Sequence, residues 1–511
     1  MPDDLTDAST TDALEAAAVS EQRRVRQDKR TRLLAEGRQP YPVSVGRTHA
    51  LREVRERWAS LATGEETSDV VAVAGRVVFL RNTGKLCFAT LQEGLSTHDP
   101  GTRLQVMLSL AEVGADALAA WKADVDLGDF VSVSGRVVSS RRGELSVMAG
   151  TWELASKALR PLPNLYENAE LSEEVRVRQR YADLTVREDA RQMVLTRAKV
   201  TRSIRDTLHR HDFLEVETPV LQLVHGGAHA RPFPTHLNAF DVDMTLRIAL
   251  ELYLKRAVVG GVDRVYEMGR IFRNEGVDST HSPEFTMLEF YQAWGDQQTV
   301  ADLTRQIILD VADVLGSRQI ETPAGVIDLD VEWRWLGVYP GLSAVLGEDV
   351  LPATPLERLR EIATAHDVPL DPAWGAQKVV MELFEHLVEP TLLQPTFVCD
   401  YPPVAQPLAR PHRSDPALIE AWDLFIGGVE RGTGFSELID PVIQRERLTA
   451  QSLEAAAGDP EAMQLDEDFL DALEFGAPPM GGVGLGLDRL IMLFTGVGIR
   501  ETILFPLLRP S

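Results

Sequence analysis

Hydrophobic and polar positions alternate in short runs between residues 69 and 156. The runs are "VVAVAGRVVFLR", "KLCFATLQE", "RLQVMLSL", "DFVSVSGRVVSSR" and "ELSVMAGTWELAS". Such alternation, bounded by glycine and polar residues, is typical of β-strands that bury one face. Five strands joined by glycine-containing turns predict a small closed barrel.

After the barrel region, the hydrophobic residues first recur with the period of a helix and then in the runs that are typical of strands. The segment "REDARQMVLTRAKVTRSIRDTLHRHDF" places Met193, Val200, Ile204 and Leu208 at helical spacing and predicts an amphipathic helix. It leads into "FLEVETPVLQ", a strand that Pro219 interrupts. Further on, "RVYEMGRIFRNEG" and "PEFTMLEFYQAW" have the pattern of two strands with a short connection, so we expect them to pair as a hairpin.

The periodic segments divide the chain into five zones. The first residues are polar, acidic and poor in aromatic side chains, which predicts disorder. The basic stretch "EQRRVRQDKRTRLLAE" predicts a helix that either exposes a solvated face or contacts a phosphate backbone. The segment "LRPLPNLYENAE" contains two prolines within four residues and has the composition of a linker. We therefore expect a disordered N-terminus (1–20), a helical segment (21–68), the barrel (69–158), a linker (159–174) and a larger domain (175–511).

Composition restricts the cellular setting and the kind of partner. The 511 residues include only two cysteines, Cys87 and Cys399, so a disulfide framework is excluded and a reducing compartment, the cytoplasm, is expected. No apolar run reaches membrane-spanning length, and the acidic start "MPDDLTDAST" is unlike a signal peptide. The net charge of -25 argues against a protein that coats nucleic acid, but it permits one local basic contact surface.

The predicted hairpin concentrates groups that suit a nucleotide. Arg273 and Glu275 end the first strand, His281 lies in the connection, and Phe285 begins the second strand. An arginine and a histidine can bind phosphates, an aromatic ring can stack on a base, and a carboxylate can accept from an exocyclic amine. The competing interpretation is a surface salt bridge beside a buried phenylalanine.

The second strand of this hairpin carries polar groups on an otherwise apolar face. Because side chains alternate along a strand, Phe285, Met287, Glu289 and Tyr291 share one face. A carboxylate and a phenol among apolar neighbours rarely face a core without partners. We therefore expect this face to line a site.

The stretch "GVGLGLDR" at 482–489 raises a separate question. A dinucleotide fingerprint needs glycine at its sixth position, where this stretch has Leu487. The following "LDRLIMLFTG" predicts a helix with an apolar face, so the glycines are interpreted as a closely packed helix entry. Arg489, on the first turn of this apolar helix, requires an anion to offset its desolvation.

The predicted barrel offers a possible surface for single-stranded nucleic acid. Phe88, Arg81 and Gln105 would present one ring, one cation and one amide, and the barrel would be of the oligonucleotide-binding type. Stacking combined with hydrogen bonding is how unpaired bases are recognised. The alternative is a core phenylalanine beside a surface arginine.

Three stretches together resemble a known family. "FLEVETP", "FRNEG…HSPEFTMLEFY" and "GVGLGLDRL" are similar, in order, to the three signature motifs of class II aminoacyl-tRNA synthetases. "GGAHARPF", "GTGFSELIDP" and "IRETILFPLLRP" resemble the lysyl-tRNA synthetases, including actinobacterial forms, and the likeness covers roughly residues 30–510. The resemblance implies an α+β fold, with an N-terminal OB-fold β-barrel that binds the anticodon. An antiparallel β-sheet catalytic domain flanked by helices would follow it.

The resemblance also assigns roles at the nucleotide site. Arg489 would hold the γ-phosphate of ATP, and Arg273 would hold the α-phosphate as the substrate carboxylate attacks it. Glu275 and Phe285 would bind the adenine, while His281 would help with the outer phosphates. The family implies Mg2+ as the metal, with Glu430 and Glu437 as its ligands and Glu430 also at ATP. Pro219 is expected to lie at a dimer interface.

Lysine would occupy an acidic pocket by the same resemblance. Glu289 and Tyr291 would face its side-chain amine and Glu251 its α-amine. Gly226 and Gly227 would lie in a loop that closes over the substrate. The remaining lysine-binding positions that the family implies are Arg273, Thr433, Phe435 and Glu437. An aspartate or asparagine enzyme of the same subclass would need cations in this pocket instead. Two positions depart from the family, since Thr433 and Ile439 stand where asparagine is common.

Three functions remain open at this point. The first is a ligase that charges tRNA(Lys) with L-lysine using ATP, as a homodimer with no membrane contact. The second is a paralogue that activates lysine for another acceptor. A lipid acceptor would require a membrane domain, and a protein acceptor usually accompanies loss of the barrel. The third is a non-catalytic synthetase-like tRNA-binding protein, against which the intact motif residues argue.

Overall fold

The computed structural model describes residues 5–97, 99–163, 172–456, 458–459 and 461–509, and side chains from residue 20 onward within these ranges. The chain forms two compact units, one that ends at Leu195 and one that begins at Thr196. Across the described ranges, no helix combines the length and the apolarity that crossing a bilayer would take.

The first unit is built around five strands. Its elements are α1 (Leu5–Ala35), α2 (Leu51–Arg57), β1 (Glu66–Asn82), β2 (Leu86–Gln92), β3 (Arg103–Ser109), α3 (Leu110–Val113), α4 (Ala115–Asp124), β4 (Phe130–Ser139), β5 (Leu145–Ser156), α5 (Glu173–Arg178) and α6 (Arg180–Val186). Helix α7 (Glu188–Arg210) contains the boundary between the units.

The strands close into the predicted barrel. Their order is β1-β2-β3-β5-β4, and all neighbours are antiparallel except β3 and β5. Alternate valines of β1, such as Val71, Val73 and Val77, are fully buried in its core. Trp121 of α4 closes the core by an edge-to-face contact with Trp152 of β5. The alternating pattern therefore predicted the barrel correctly. The helices α3 and α4, which lie between β3 and β4 in the chain, were not predicted.

Helix α1 begins earlier than the sequence pattern suggested. It starts at Leu5 and so extends through residues for which disorder was predicted, consistent with the high helix propensity of the alanine-rich run "ALEAAAVSEQ". Its basic part packs on the barrel unit, because Arg26 donates hydrogen bonds to the carbonyls of Leu127, Ala158 and Arg160. The helix face that was expected to be solvated is thus partly a docking face. Residues 1–4, and residues 164–171 of the linker expected at 159–174, lie outside the described residues.

The second unit contains the larger sheet. Its strands are β6 (Leu214–Glu215), β7 (Leu221–Gln222), β8 (Pro234–Leu237), β9 (Val242–Leu246), β10 (Arg264–Phe272), β11 (Glu284–Ala293), β12 (Gln319–Thr322), β13 (Gly325–Asp328), β14 (Arg334–Gly337), β15 (Thr396–Tyr401), β16 (Ile419–Phe425), β17 (Glu430–Ser436) and β18 (Met480–Gly486). Its helices are α8 (Glu251–Val259), α9 (Gln297–Leu315), α10 (Val338–Leu346), α11 (Leu356–Ala365), α12 (Ala376–Leu387), α13 (Pro441–Ala456), α14 (Glu467–Glu474), α15 (Leu487–Thr495) and α16 (Ile499–Thr502), with 3-10 turns at Glu389–Thr391 and Pro403–Ala405.

Eight strands form this sheet in the order β14-β15-β16-β17-β18-β11-β10-β6. The pairs are antiparallel except β14 with β15 and β10 with β6. The expected hairpin is present, since β10 pairs with β11 and Ile271 lies opposite Phe285. An antiparallel-rich sheet with flanking helices, following a barrel, confirms the predicted α+β class.

The glycine-rich stretch differs from its prediction. It forms strand β18 in the middle of the sheet, between β17 and β11, and the helix begins only at Leu487. Glycine has a low strand propensity, so the sequence alone favoured a helix entry. The apolar face predicted for the following helix is correct, because Leu487, Leu490, Ile491 and Leu493 are buried.

Candidate active site

A cavity of about 330 Å³ lies over β11, β17 and β18 in the second unit, within the size range of small-molecule sites. Most of the predicted site residues line it. They are Glu251, Arg273, Glu275, His281, Phe285, Glu289, Tyr291, Glu430, Thr433, Phe435 and Arg489. Gly227 also lines it, whereas Gly226 and Glu437 are not among the residues that line it. Residues far apart in the sequence therefore meet in one concave site.

The glycines of β18 make room for this site. A methyl group on Gly482 would lie 2.1 Å from Oε1 of Glu437 and 2.3 Å from the Tyr291 ring. A methyl group on Gly484 would lie 3.0 Å from the terminal carbon of Met287. These distances are shorter than van der Waals contact. The glycines are thus required because neighbouring side chains fill the space above the strand.

One end of the cavity is cationic. Arg489 lies with Nη2 3.4 Å from Nε2 of His281 and with Nη1 3.6 Å from Oε1 of Glu430. Arg273 donates from Nε to the carbonyl of Ile248, and its guanidinium lies 5.5 Å from the centre of the Phe285 ring. Burial lowers the pKa of Arg273, although an arginine remains charged at neutral pH. Two guanidiniums facing one cavity are suited to a polyphosphate.

Arg489 is held in place by its neighbour in sequence, Asp488. This buried carboxylate accepts from Nη1 of Arg197 at 2.5 Å and from the main-chain N–H of Thr286 at 2.8 Å. It also accepts from the hydroxyl of Thr502 at 3.2 Å. The start of α15 is thereby fixed to β11. The sequence pattern gave Asp488 no role, because its partners come from elements distant in the chain.

The other end of the cavity is acidic. Glu289 accepts from the main-chain N–H of Leu250 at 2.8 Å and from the Tyr291 hydroxyl at 3.1 Å. Burial and the nearby charge of Glu251 raise the pKa of Glu289 to about 8. Burial likewise raises the pKa of Glu437 far above its usual range. A cation beside a buried carboxylate favours its ionised form, so these carboxylates are suited to bind an ammonium group.

The expected metal pair is wrong. Glu430 begins β17 and Glu437 follows its last residue, so seven residues of extended chain separate them. At about 3.3 Å per residue they are on the order of 20 Å apart and do not share an ion. Glu437 instead forms an ion pair with the buried Lys255. It belongs to the acidic end of the cavity and not to the phosphate end.

Asp423, which the sequence reasoning missed, is the better partner for Glu430. It lies on β16, in the hairpin with β17, and both carboxylates line the cavity. Burial and the charge of Glu430 raise the pKa of Asp423 to about 7, and the hydroxyls of Thr433 and Tyr401 hydrogen-bond to it. The signal in the sequence was a carboxylate between apolar neighbours in the strand "IEAWDLF", which also contains Glu420.

The two carboxylates fit a divalent ion whose coordination shell is completed by the substrate. Within the described ranges, no group of three or more His, Cys, Asp or Glu side chains is arranged to hold a metal by itself. Mg2+ typically takes one or two protein carboxylates and completes its shell with phosphate oxygens and water. Asp423 and Glu430 match this donor set.

The barrel residues share a face of the first unit. Phe88 lies opposite Arg81 on one side and Met107 on the other, and Gln105 lies opposite Thr90. Phe88 alternates with buried neighbours and is itself outside the barrel core, so the core interpretation is wrong. Gln105 donates from Nε2 to the hydroxyl of Ser146 at 2.9 Å. Phe79, which is 41 % exposed on β1, is an aromatic residue that the sequence reasoning missed.

The position expected at a dimer interface is exposed. Pro219 is accessible, and Val220, Leu221 and Leu223 beside it are apolar and 40 %, 45 % and 62 % exposed. Adjacent exposed apolar side chains are typical of an interaction surface. The homodimer itself stays a prediction.

Two family descriptions match the chain. Residues 172–509 match the family described as "tRNA synthetases class II (D, K and N)", and residues 71–155 match "OB-fold nucleic acid binding domain". The two matches coincide with the sheet and its helices and with the barrel.

Curated proteins are similar over almost the whole chain. A lysine–tRNA ligase of Mycolicibacterium gilvum is 58% identical, over 96% of this chain and 97% of that protein. Lysine–tRNA ligase 1 of Mycobacterium tuberculosis (strain ATCC 25618 / H37Rv) is 56% identical, over 97% of this chain and 98% of that protein. A lysylphosphatidylglycerol biosynthesis bifunctional protein, LysX of Rhodococcus opacus, is 46% identical over 96% of this chain but only 43% of its own length.

Proposed function

This chain belongs to the class II tRNA synthetases of the D, K and N group, and from that premise we propose that it is a lysine–tRNA ligase. It would activate L-lysine with ATP to lysyl-adenylate and transfer the lysyl group to the 3′ end of tRNA(Lys). One observation carries the proposal. A single cavity presents guanidiniums at one end and buried carboxylates at the other.

The activation step requires no general base. The substrate carboxylate is already a nucleophile, so the protein contributes positioning and stabilisation of the charge that develops at phosphorus. Arg273 lies between the two ends of the cavity, near both Glu289 and Glu430, where the carboxylate would meet the α-phosphate. Arg489 and His281 would hold the outer phosphates, and Phe285 and Glu275 the adenine. Asp423 and Glu430 would hold Mg2+, which when bound neutralises phosphate charge.

The choice of amino acid follows from the acidic end. The ammonium groups of lysine would face Glu289, Tyr291 and Glu251, and its alkyl chain would lie along Phe435. Gly227 and its loop would cover it. Aspartate would place a carboxylate against these carboxylates, and asparagine would leave them without a cation. Thr433 is shorter than asparagine, so its contact to the substrate would pass through water.

The remaining parts of the proposal concern assembly and tRNA. The barrel face with Arg81, Phe88 and Gln105 would bind the anticodon, by stacking on Phe88 and hydrogen bonds from its neighbours. The exposed apolar residues around Pro219 would be covered in a homodimer. The enzyme would act in the cytoplasm, because its two cysteines are free thiols and it requires cytoplasmic substrates.

Amino-acid-dependent exchange of pyrophosphate into ATP tests the activation step without tRNA. The purified chain is assayed with lysine, ornithine, aspartate and asparagine at equal concentration. We expect exchange with lysine and none above background with aspartate or asparagine. Exchange with aspartate at a rate comparable to that with lysine would refute the assignment.

A second candidate is activation of lysine for an acceptor other than tRNA. The similarity to LysX, a bifunctional protein of which this chain spans less than half, favours considering it. The two candidates share the activation step and differ only in the transfer step. Transfer to tRNA therefore distinguishes them.

A further inference from the structure

Lys255 is a buried cation beside the acidic end of the cavity, paired with Glu251, which lines it. Its side chain is 1% exposed and lies on α8, one turn after Glu251. Nζ lies 2.5 Å from Oε1 of Glu251, forms an ion pair with Glu437, and lies 5.4 Å from the centre of the Phe435 ring. A lysine is almost never fully buried unless it is paired. Here it is paired with Glu251, which the proposed function assigns to the substrate, and with Glu437, which the family resemblance assigns to it.

The charges around Lys255 do not balance. Three buried carboxylates converge here: Glu251 from α8, Glu289 from β11 and Glu437 from the end of β17. The other ionisable groups that face them in the described part of the chain are Lys255 itself, the Tyr291 phenol and Arg273. Arg273 lies between the two ends of the cavity and also faces Glu275 and Glu430, so we count its charge with the phosphate end. The acidic end therefore has three carboxylates and one ammonium.

Lysine carries two ammonium groups, which is the number that this pocket lacks. We propose that Lys255 is a fixed internal counter-ion that leaves two of the three carboxylates without a cation, so that only an amino acid with two ammonium groups pairs with both. This inference rests on the proposed function. Lys255 acts as a positioning and specificity-determining residue, since it holds Glu251 and Glu437 and does not itself contact the reacting atoms.

Specificity follows from the charge count. An amino acid with one ammonium leaves a carboxylate that must stay either protonated or unpaired in a buried site, and both states oppose binding. Burial opposes the charged form of Lys255, but the charges of Glu251 and Glu437 outweigh it and raise its pKa, so Lys255 stays charged across neutral pH. Without Lys255, the three carboxylates would retain protons to higher pH and bind the substrate ammonium less well.

The test compares Lys255→Met with Lys255→Arg. Methionine retains most of the volume without the charge, and arginine retains the charge. For K255M we expect the KM for lysine in pyrophosphate exchange to rise at least about 30-fold at pH 7, with the KM for ATP unchanged. Raising the pH toward 9 should recover part of the loss, because the carboxylates then lose their protons. K255R should stay close to the original protein.

A double variant separates charge from packing. Glu251→Gln combined with K255M removes one charge of each sign, so its effect on lysine binding should be smaller than the product of the two single effects. Multiplicative losses that do not depend on pH would overturn the inference, because they would indicate only a packing role.

Direct binding keeps the inference testable whatever the catalytic result. Calorimetry on the unaltered chain compares lysine with norleucine, which has the same chain length without the side-chain ammonium. We expect lysine to bind at least about 30-fold more tightly, and K255M to shrink that ratio. If lysine binds in this way but supports no exchange, the proposed function fails and the charge count stands. If K255M fails to fold, the ratio of the affinities for lysine and norleucine is measured on K255R and on the unaltered chain instead. Equal binding of the two ligands would then overturn the inference.

Discussion

Asp423 and Glu430 lie on the two strands of one hairpin, and the charge of Glu430, together with burial, raises the pKa of Asp423 to about 7. A buried carboxylate close to a second carboxylate is a common arrangement where a cation is to be bound. A divalent ion between them would relieve this repulsion and favour both ionised forms. The relationship thus supports the proposed Mg2+ position at this hairpin.

The first prediction concerns this pair. Asp423→Asn and Glu430→Gln should each raise the Mg2+ concentration for half-maximal pyrophosphate exchange at least about tenfold, since removal of even an outer-shell partner of a metal has such effects. The KM for lysine should change little. Glu437→Gln is the matched comparison, because Glu437 lies in the acidic end, paired with Lys255. It should raise the KM for lysine and leave the Mg2+ requirement unchanged. Equal responses of all three variants to Mg2+ would show that the two ends are not distinct.

Arg273→Ala should nearly abolish adenylate formation. Loss of a preorganised donor to the developing charge typically costs about 3–4 kcal/mol of transition-state stabilisation, or a 100- to 1,000-fold slower rate. Single-turnover formation of lysyl-adenylate measures it, and circular dichroism checks the fold. Arg358→Ala on the exposed face of α11 serves as the control. Near-normal adenylate formation by R273A would mean that the α-phosphate lies elsewhere.

The barrel should affect charging and leave activation unchanged. Phe88→Ala should weaken tRNA(Lys) binding by about 1–3 kcal/mol, the usual contribution of one stacked base, and reduce charging accordingly. Pyrophosphate exchange without tRNA should not change. Val70→Ala, an exposed position of β1 that pairs with β4, is the control. Unimpaired charging by F88A would exclude Phe88 from the anticodon contact.

Lysine binding should release protons. The pKa of Glu289 is raised to about 8 in the free protein, so this carboxyl is mostly protonated at pH 7. A bound ammonium favours the ionised form, so up to about one proton should leave on binding, and lysine affinity should rise as the pH approaches 8.

Calorimetry at pH 7 in buffers of different ionisation enthalpy measures this release. Glu289→Gln should bind lysine more weakly and release fewer protons. A binding enthalpy that is the same in every buffer would contradict a protonated Glu289 in the free protein.

Much of the fold was predictable because it depends on local periodicity. The barrel strands follow from alternating valines such as Val71 and Val73, and the β10–β11 hairpin follows from two alternating runs with a short connection. The stretch that forms β18 was not predictable, because glycine favours no regular element locally. Its strand is enforced by pairing with β17 and β11 on both sides.

The sequence predicted which residues have side chains suited to the site, but not which of these side chains lie next to each other. Two carboxylates each lie seven residues from Glu430 in sequence, Asp423 before it and Glu437 after it. Only the positions of the strands decide that Asp423 lies across a hairpin and Glu437 at the far end of the same strand. The ion pair of Lys255 with Glu437 was equally hidden, because Glu437 comes from a distant element, whereas Glu251 lies only four residues earlier on the same helix.

Aminoacylation of tRNA(Lys) measures the proposed lysine–tRNA ligase activity itself. The purified chain is incubated with ATP, Mg2+ and labelled lysine, and with either tRNA(Lys) or tRNA(Asp), and the label esterified to the 3′ end is measured over time. A lysine–tRNA ligase should load tRNA(Lys) to near completion and leave tRNA(Asp) unloaded. Lysine-dependent pyrophosphate exchange without any label on tRNA(Lys) would contradict the account and assign the activated lysine to another acceptor.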